Sequence, residues 1–387
     1  MVMGAAEEKR YSESLARVRN AIEHKPVDRI PFLAGGPAFY PHYQGVKLCD
    51  YLNDMELNCT VNIKAALDLN ADGTQAQIFS PDTFPTLWFS TPKIPGRELS
   101  DDELWQIDEK EMITHEDYDY ILENGWIEWR EKFVAKNFPQ CAEGARKFFE
   151  YIPTSIERTR AAGIPTIVEN NLTGPFEHLC GGRTLAAFLM DDIMEIPEKL
   201  EQVFEVIARE EMAEFEEYFK TSKPLGTWVG GWRGTPSMLN REMFLDFSWK
   251  YLKAIGELAI EYDVIPMFHL DSNWDAGLDV FNELEPNKAI IALDGKTNIY
   301  KAKEICGDNV CIMGDVPAEM LAFGKPGDVY NYSVKLIREI GPTGFILCSG
   351  CDTPFNANVD NVFEMKKAVE DTAGTLYSSE LGLAGNI

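Results

Sequence analysis

The sequence has no long hydrophobic run. No stretch reaches the ~18 apolar residues that a membrane-spanning helix needs, so no span is expected. The opening MVMGAAEEKRYSES holds no apolar core of the kind a secretory leader requires. The expectation is a cytoplasmic protein, and disulfides are rare in that compartment. The eight cysteines, at positions 49, 59, 141, 180, 306, 311, 348 and 351, are therefore expected to be free. Most should be small core residues. Positive charge is also in short supply. Lys and Arg number 36 against 63 Asp and Glu, which leaves a net charge of −27. Such a surface repels nucleic-acid phosphate and anionic lipid, so a nucleic-acid or membrane-surface partner is excluded as the leading reading. Internal repeats, low-complexity tracts and long linkers are missing. No glycine-rich phosphate turn follows any candidate strand, which argues against an open, doubly wound dinucleotide-binding sheet.

Of the 387 residues, 45% are hydrophobic and 26% charged, enough to build a large core. Eight short apolar runs read as strands: 29–35, 73–79, 164–170, 225–230, 264–270, 288–294, 309–314 and 344–349. Several follow Pro or Gly and end in polar residues or Gly, as strand punctuation predicts. Helical spacing lies between them. In 197–220, Leu200, Val203, Phe204, Ile207, Phe215 and Phe219 fall on one face, and 240–262 repeats the pattern. A last helix is expected over 360–376. Alternating strands and helices imply an α/β fold with a parallel sheet, and eight βα units imply a (β/α)8 TIM barrel. The chain then reads as a single barrel domain, 1–387. It carries an N-terminal helical extension (1–28) and a long acidic, aromatic-rich insertion (80–150) after the second strand.

In such a barrel the chemistry gathers at the C-terminal ends of the strands. The fifth strand ends Met267-Phe-His269-Leu-Asp271, and alternation puts His269 and Asp271 on one side. The eighth ends Cys348-Ser-Gly-Cys351-Asp-Thr-Pro. One C-x-x-C is too little for a four-cysteine zinc ribbon. His269, Asp271 and Cys351 can instead converge on one ion, and N, O and S donors with an open position suit catalytic zinc. The plainer alternative is a hydrogen-bonded core histidine, a capping aspartate and two buried thiols. The third strand ends Glu169-Asn170-Asn171, a carboxylate and two amides for substrate or metal, or else a capped turn. After the fourth strand, Trp228 and Trp232 can wall an aromatic site and Arg233 can hold an anion. Asp294, at the end of the sixth, is a further candidate carboxylate. Phe84, Trp88 and Phe89 either cover the mouth or anchor the insertion, and His178 and Cys180 read as structural.

Together these segments resemble the uroporphyrinogen decarboxylase superfamily, and within it the corrinoid-dependent methyltransferases. Residues 17–31 (RVRNAIEHKPVDRIP) look like the family's helix followed by a PDR-x-P opening. MFLDFSWKYLK from Met243 is similar to its fourth crossover helix. Asp294, GDNV from Gly307, MGDVP from Met313 and GFILCSGCDTP from Gly344 look like its last three βα units. The decarboxylase proper carries arginines in an M-R-Q-A-G-R loop, and here the corresponding Phe32-Leu-Ala-Gly-Gly-Pro-Ala-Phe-Tyr40 has none. A polycarboxylate substrate would need such cations.

The resemblance implies zinc on a His-x-Cys of the fifth strand and a Cys of the eighth. His269 and Cys351 match, and Asp271 stands where the family has the middle Cys. One thiolate fewer leaves a harder ion, suited to polarising an ether oxygen. The implied activity is the first half-reaction of an O-demethylase. A methyl group would pass from a methoxylated aromatic to the Co(I) corrinoid of a partner protein, since this chain has no evident cobalamin-binding domain. Glu169 would be a further ligand or proton relay, and Trp228, Trp232, Arg233 and Asn171 would contact substrate. Methyl transfer from a methylcorrinoid to a thiol or tetrahydrofolate, and a metal-free decarboxylation, are the alternatives within the superfamily. A non-catalytic scaffold is the alternative outside it. The oligomeric state is left open, a homodimer among the options.

Overall fold

The computed structural model describes residues 3–377; the first two residues of the N-terminal extension and the last ten of the chain lie outside them. Ten strands occur among these residues: β1 (Leu33–Ala34), β2 (Gly73–Thr74), β3 (Thr91–Lys93), β4 (Gln106–Asp108), β5 (Asn171–Thr173), β6 (Gly226–Gly231), β7 (Ile265–Leu270), β8 (Ile290–Leu293), β9 (Cys311–Val316) and β10 (Phe345–Ser349). Strands β5 to β10 form one parallel sheet in the order β10-β9-β8-β7-β6-β5. β1 and β2 form a separate parallel pair. Single parallel bridges flank that pair, Phe32 with Leu347 of β10 on one side and Thr74 with Thr166 on the other.

The fourth to eighth expected strands match β6 to β10 closely. These are runs of mainly apolar residues, buried on both faces as parallel strands are; every residue of β7, β8 and β9 is buried. The first three runs are corrected. Regular β2 ends at Thr74: the Gln75 amide still donates to the Ala34 carbonyl, but the Gln75 side chain turns to Cys348 and the Gln77 carbonyl accepts from Asn62. In the third run Ile167, Glu169 and Asn170 make inter-strand hydrogen bonds, but the regular strand begins only at Asn171. The helix expected over 240–262 is interrupted by a wider turn at Leu245–Trp249.

Residues 80–150, read from the sequence as an insertion, are not one irregular loop. They hold the antiparallel β3–β4 pair and the helices His115–Asn124 and Trp126–Asn137. The end at 150 is also corrected, because helix Ala142–Ala161 runs through it, Pro153 included. Phe89 packs against Trp126, Trp129 and Phe133, which anchors this segment to its own helices. At the other end of the chain order, the helix Ala5–Ile22 docks through Arg17 onto the buried Asp72, which also accepts from Arg29 and from the Phe32 amide.

In β7, Phe268 packs outward against Trp249 and Phe281, with ring centroids 5.9 and 5.4 Å away. Alternation along the strand then turns His269 to the opposite, inner side.

Candidate active site

Three of the residues singled out in the sequence meet in space. His269 Nε2 lies 3.4 Å from Asp271 Oδ1 and 3.9 Å from Cys351 Sγ. One nitrogen, one oxygen and one sulfur thus fall within 4.8 Å of one another. The imidazole is buried, and Cys351 is the exposed thiol among eight free cysteines. Burial works against a charge on His269, but Asp271 and Cys351 outweigh it and hold the ring well above the usual histidine pKa. Two acidic donors crowding one imidazole without another cation is the arrangement a divalent ion would relieve.

The backbone explains why Asp271 and Cys351 point here. The Asp271 amide donates to the Gly231 carbonyl at 3.2 Å, and its own carbonyl accepts from Trp274 Nε1 at 2.9 Å. Ser272 follows in a left-handed conformation, and its amide donates to Asp294 at 2.9 Å. Asp294 also accepts from the Lys296 amide, so it is a loop anchor rather than a free carboxylate. On the other side, the Gly350 amide donates to the Val316 carbonyl, and Thr353 binds the Gly35 carbonyl through both backbone and hydroxyl. Ser349 Oγ caps the Cys351 carbonyl at 2.5 Å. Cys348 takes no part in the cluster: it is buried and accepts from Gln75 Nε2 at 2.9 Å.

Aromatic rings border the donors. The Trp228 indole lies flat on His269, 4.5 Å between centroids and 8° between planes. Trp232 folds back over Gly230, where a Cβ would meet its ring at 2.3 Å. Trp88 of the insertion meets Trp232 edge-on at 5.0 Å, and Phe84 continues the row at 4.9 Å from Trp88. So the insertion contributes Phe84 and Trp88 to this wall, whereas Phe89 is an anchor. Asn171 is exposed and in register with Trp228, which puts it on the same side of the sheet.

Two expectations are corrected. Glu169 is not beside the donors. Its carboxylate accepts from the Leu225 amide at 3.1 Å. Leu225 lies five positions before Gly230, the register partner of His269, a separation of roughly 16 Å at about 3.3 Å per residue. There burial raises the Glu169 carboxyl and the Leu225 amide opposes the rise. Arg233 is not free for an anion either, since it forms a two-bond clamp on Glu109 of the insertion at 3.1 and 3.0 Å. His178 is structural as expected, held between the Leu87 carbonyl and Glu211.

The sequence reading missed two carboxylates. Glu177 is buried and its Oε1 accepts from the amides of Trp232, Arg233 and Gly234, at 2.8–3.0 Å. It fixes the loop that carries Trp232. Nothing local marks it, because its partners lie more than fifty residues away. Asp352 is exposed to solvent. The surrounding protein desolvates its carboxyl and pushes it up to about 6, with His269 opposing the rise and Asp271 adding to it. Its place directly after Cys351 was the available signal.

Among the described residues, no helix is long and apolar enough to cross a membrane. No curated protein sequence matches the chain significantly. In structure it is similar to a methyltransferase from Methanosarcina mazei, with a TM-score of 0.69 over 92% of this chain and 98% of that one, at 14% identity. That likeness establishes a shared fold. The model of the uroporphyrinogen decarboxylase (URO-D) family matches residues 142–372, more than half of the sequence and the part that carries β5 to β10. The chain therefore belongs to the uroporphyrinogen decarboxylase family.

Proposed function

We propose that this protein is a zinc-dependent methyltransferase that moves the methyl group of an aryl methyl ether to the Co(I) corrinoid of a partner protein. The observation that carries the reading is the meeting of His269, Asp271 and Cys351 donors within 4.8 Å, with His269 inside β7, Asp271 just after it and Cys351 just after β10. Imidazole, carboxylate and thiolate suit zinc with one position left open. Bound there, zinc supplies Lewis acidity toward an ether oxygen. The chain's own residues do the rest. Trp228, Trp232 and Trp88 offer flat apolar faces to an arene, Glu177 holds the Trp232 loop in place, and Asn171 offers a polar contact. The bridges on both flanks of the β1–β2 pair support a closed eight-stranded barrel as the frame. Decarboxylation of a polycarboxylate is less well supported. The segment from Phe32 to Tyr40 has no arginine, and Arg29 and Arg233 already pair with Asp72 and Glu109.

The test measures zinc in the wild type and in Cys351→Ala, purified without chelators. Each is then mixed with a Co(I) corrinoid protein and a methoxyphenol while the cobalt spectrum is followed. The expected result is about one zinc per wild-type chain, lost in the variant together with corrinoid methylation. Zinc without methylation would keep the centre and move the activity to the second half-reaction. A wild type without zinc would overturn the metal reading.

A further inference from the structure

His269 has two ring nitrogens with unequal surroundings. Nε2 faces Asp271 and Cys351. Nδ1 is buried and, among the described residues, has no hydrogen-bond partner. A metal-binding histidine normally gives its second N–H to a carboxylate or carbonyl, and that bond fixes the ring's orientation. Here no such bond is made. What lies against the ring is the Trp228 indole, nearly parallel at 8° and 4.5 Å. Trp228 is itself held firmly: its amide donates to the Asn170 carbonyl at 2.9 Å, and it is in register with Asn171 on one side and Met267 on the other. Its indole N–H is buried and, among the described residues, makes no hydrogen bond, so the flat face is its contact with His269.

We infer that Trp228 is the positioning residue of the metal centre. It sets the rotation of the His269 ring by stacking, in the role usually filled by a hydrogen bond to the second nitrogen. This rests on the zinc reading above and deepens it. A flat neighbour restricts rotation about the Cβ–Cγ bond without adding electron density through Nδ1. The imidazole is then oriented but not made more basic, which leaves the ion it binds a stronger Lewis acid. The role adds to the arene contact proposed above for Trp228.

The test uses metal binding, not turnover. Apo full-length protein is titrated with Zn²⁺ against a competing chelator, and with Co²⁺ while the thiolate-to-cobalt and ligand-field bands are recorded. Trp228→Leu removes the flat face and Trp228→Phe keeps it. The expected result is Zn²⁺ affinity lowered about 10–100-fold in Trp228→Leu, the usual effect of losing an orienting partner, with altered cobalt bands. Trp228→Phe should restore both to near wild type. Thermal melting of the apo forms checks folding, and Trp228→Met, similar in length but without a flat face, replaces the leucine variant if that one does not fold. Equal Zn²⁺ affinity and unchanged cobalt bands in a folded Leu or Met variant would overturn the positioning role while the centre stands. A wild type that binds neither ion would overturn the zinc reading itself.

Discussion

His269 depends on its neighbours for orientation, and the same is true of Cys351. That thiol sits one residue beyond Gly350, whose amide is tied to Val316. A Cβ at Gly350 would stand 2.7 Å from the Asp294 carbonyl oxygen and 2.8 Å from its carbon, both backbone atoms that cannot swing aside. Gly350→Ala must therefore push apart the two loops that carry Asp271 and Cys351, since Asp294 also holds Ser272 next to Asp271. We expect zinc affinity to fall about tenfold or more, within the range seen when supporting contacts are lost, while the far-UV circular dichroism stays unchanged. Chelator competition measures the first and the spectrum checks the second. The same reasoning explains why a lone Cys-x-x-Cys misleads. Cys348 and Cys351 are three apart in sequence, but one is locked in the core against Gln75 and the other is exposed.

Between elements, β9 and the helix Pro326–Glu339 are joined by a part-buried hydrogen bond from the Tyr332 hydroxyl to Asp315 at 2.7 Å. Burial raises the Asp315 carboxyl from an ordinary 3.8 to about 6, with the Tyr332 bond opposing the rise. The folded state then holds this proton more tightly than the unfolded chain does. The stability contributed by the protonated form is complete below pH 3.8 and is lost as pH rises to about 6. Asp315→Asn keeps an oxygen for Tyr332 and has no proton to lose. Urea unfolding at pH 4.5 and pH 7 should show a smaller fall in stability for the variant than for the wild type. Equal falls would mean that Asp315 ionises freely in the fold. Elements of the insertion are tied in by charge as well. Arg183 reaches Asp192 and Glu111, and Tyr118 and His115 complete the shell around the buried Asp192.

For the whole molecule the dominant feature is a charge of −27. A compact chain with that excess repels itself, and salt weakens the repulsion. Raising ionic strength from about 0.1 M to about 1 M shortens the screening length from ~10 Å to ~3 Å. The melting temperature in sodium chloride should therefore rise over this range. A fall would show that the surface ion pairs, such as those of Arg146 with Glu143 and Glu150, outweigh the net repulsion. The same charge sets the chemistry of a protein partner, whose docking face would be basic.

The parallel α/β alternation, the last five strands and the meeting of His269, Asp271 and Cys351 were legible in the chain. Apolar runs buried on both faces and Pro or Gly punctuation are local properties, and β7 needs only its alternation to set His269 apart from Phe268. The weak first strands were not legible in the same way. The β1–β2 pair spans two residues on each side, and its length depends on Gln75, Asp72 and Thr74 finding partners elsewhere in the fold. Nor does sequence tell apart Glu169, which turns to Leu225, and Glu177, which turns to the Trp232 loop. Both are carboxylates close to a strand end, and only distant amides choose between them. Arg233 reads as free until Glu109 arrives from the insertion. Residue type therefore set which chemistry was available, and long-range hydrogen bonds and packing decided which side chains deliver it, because a side chain's direction is fixed by partners that the linear order does not place beside it.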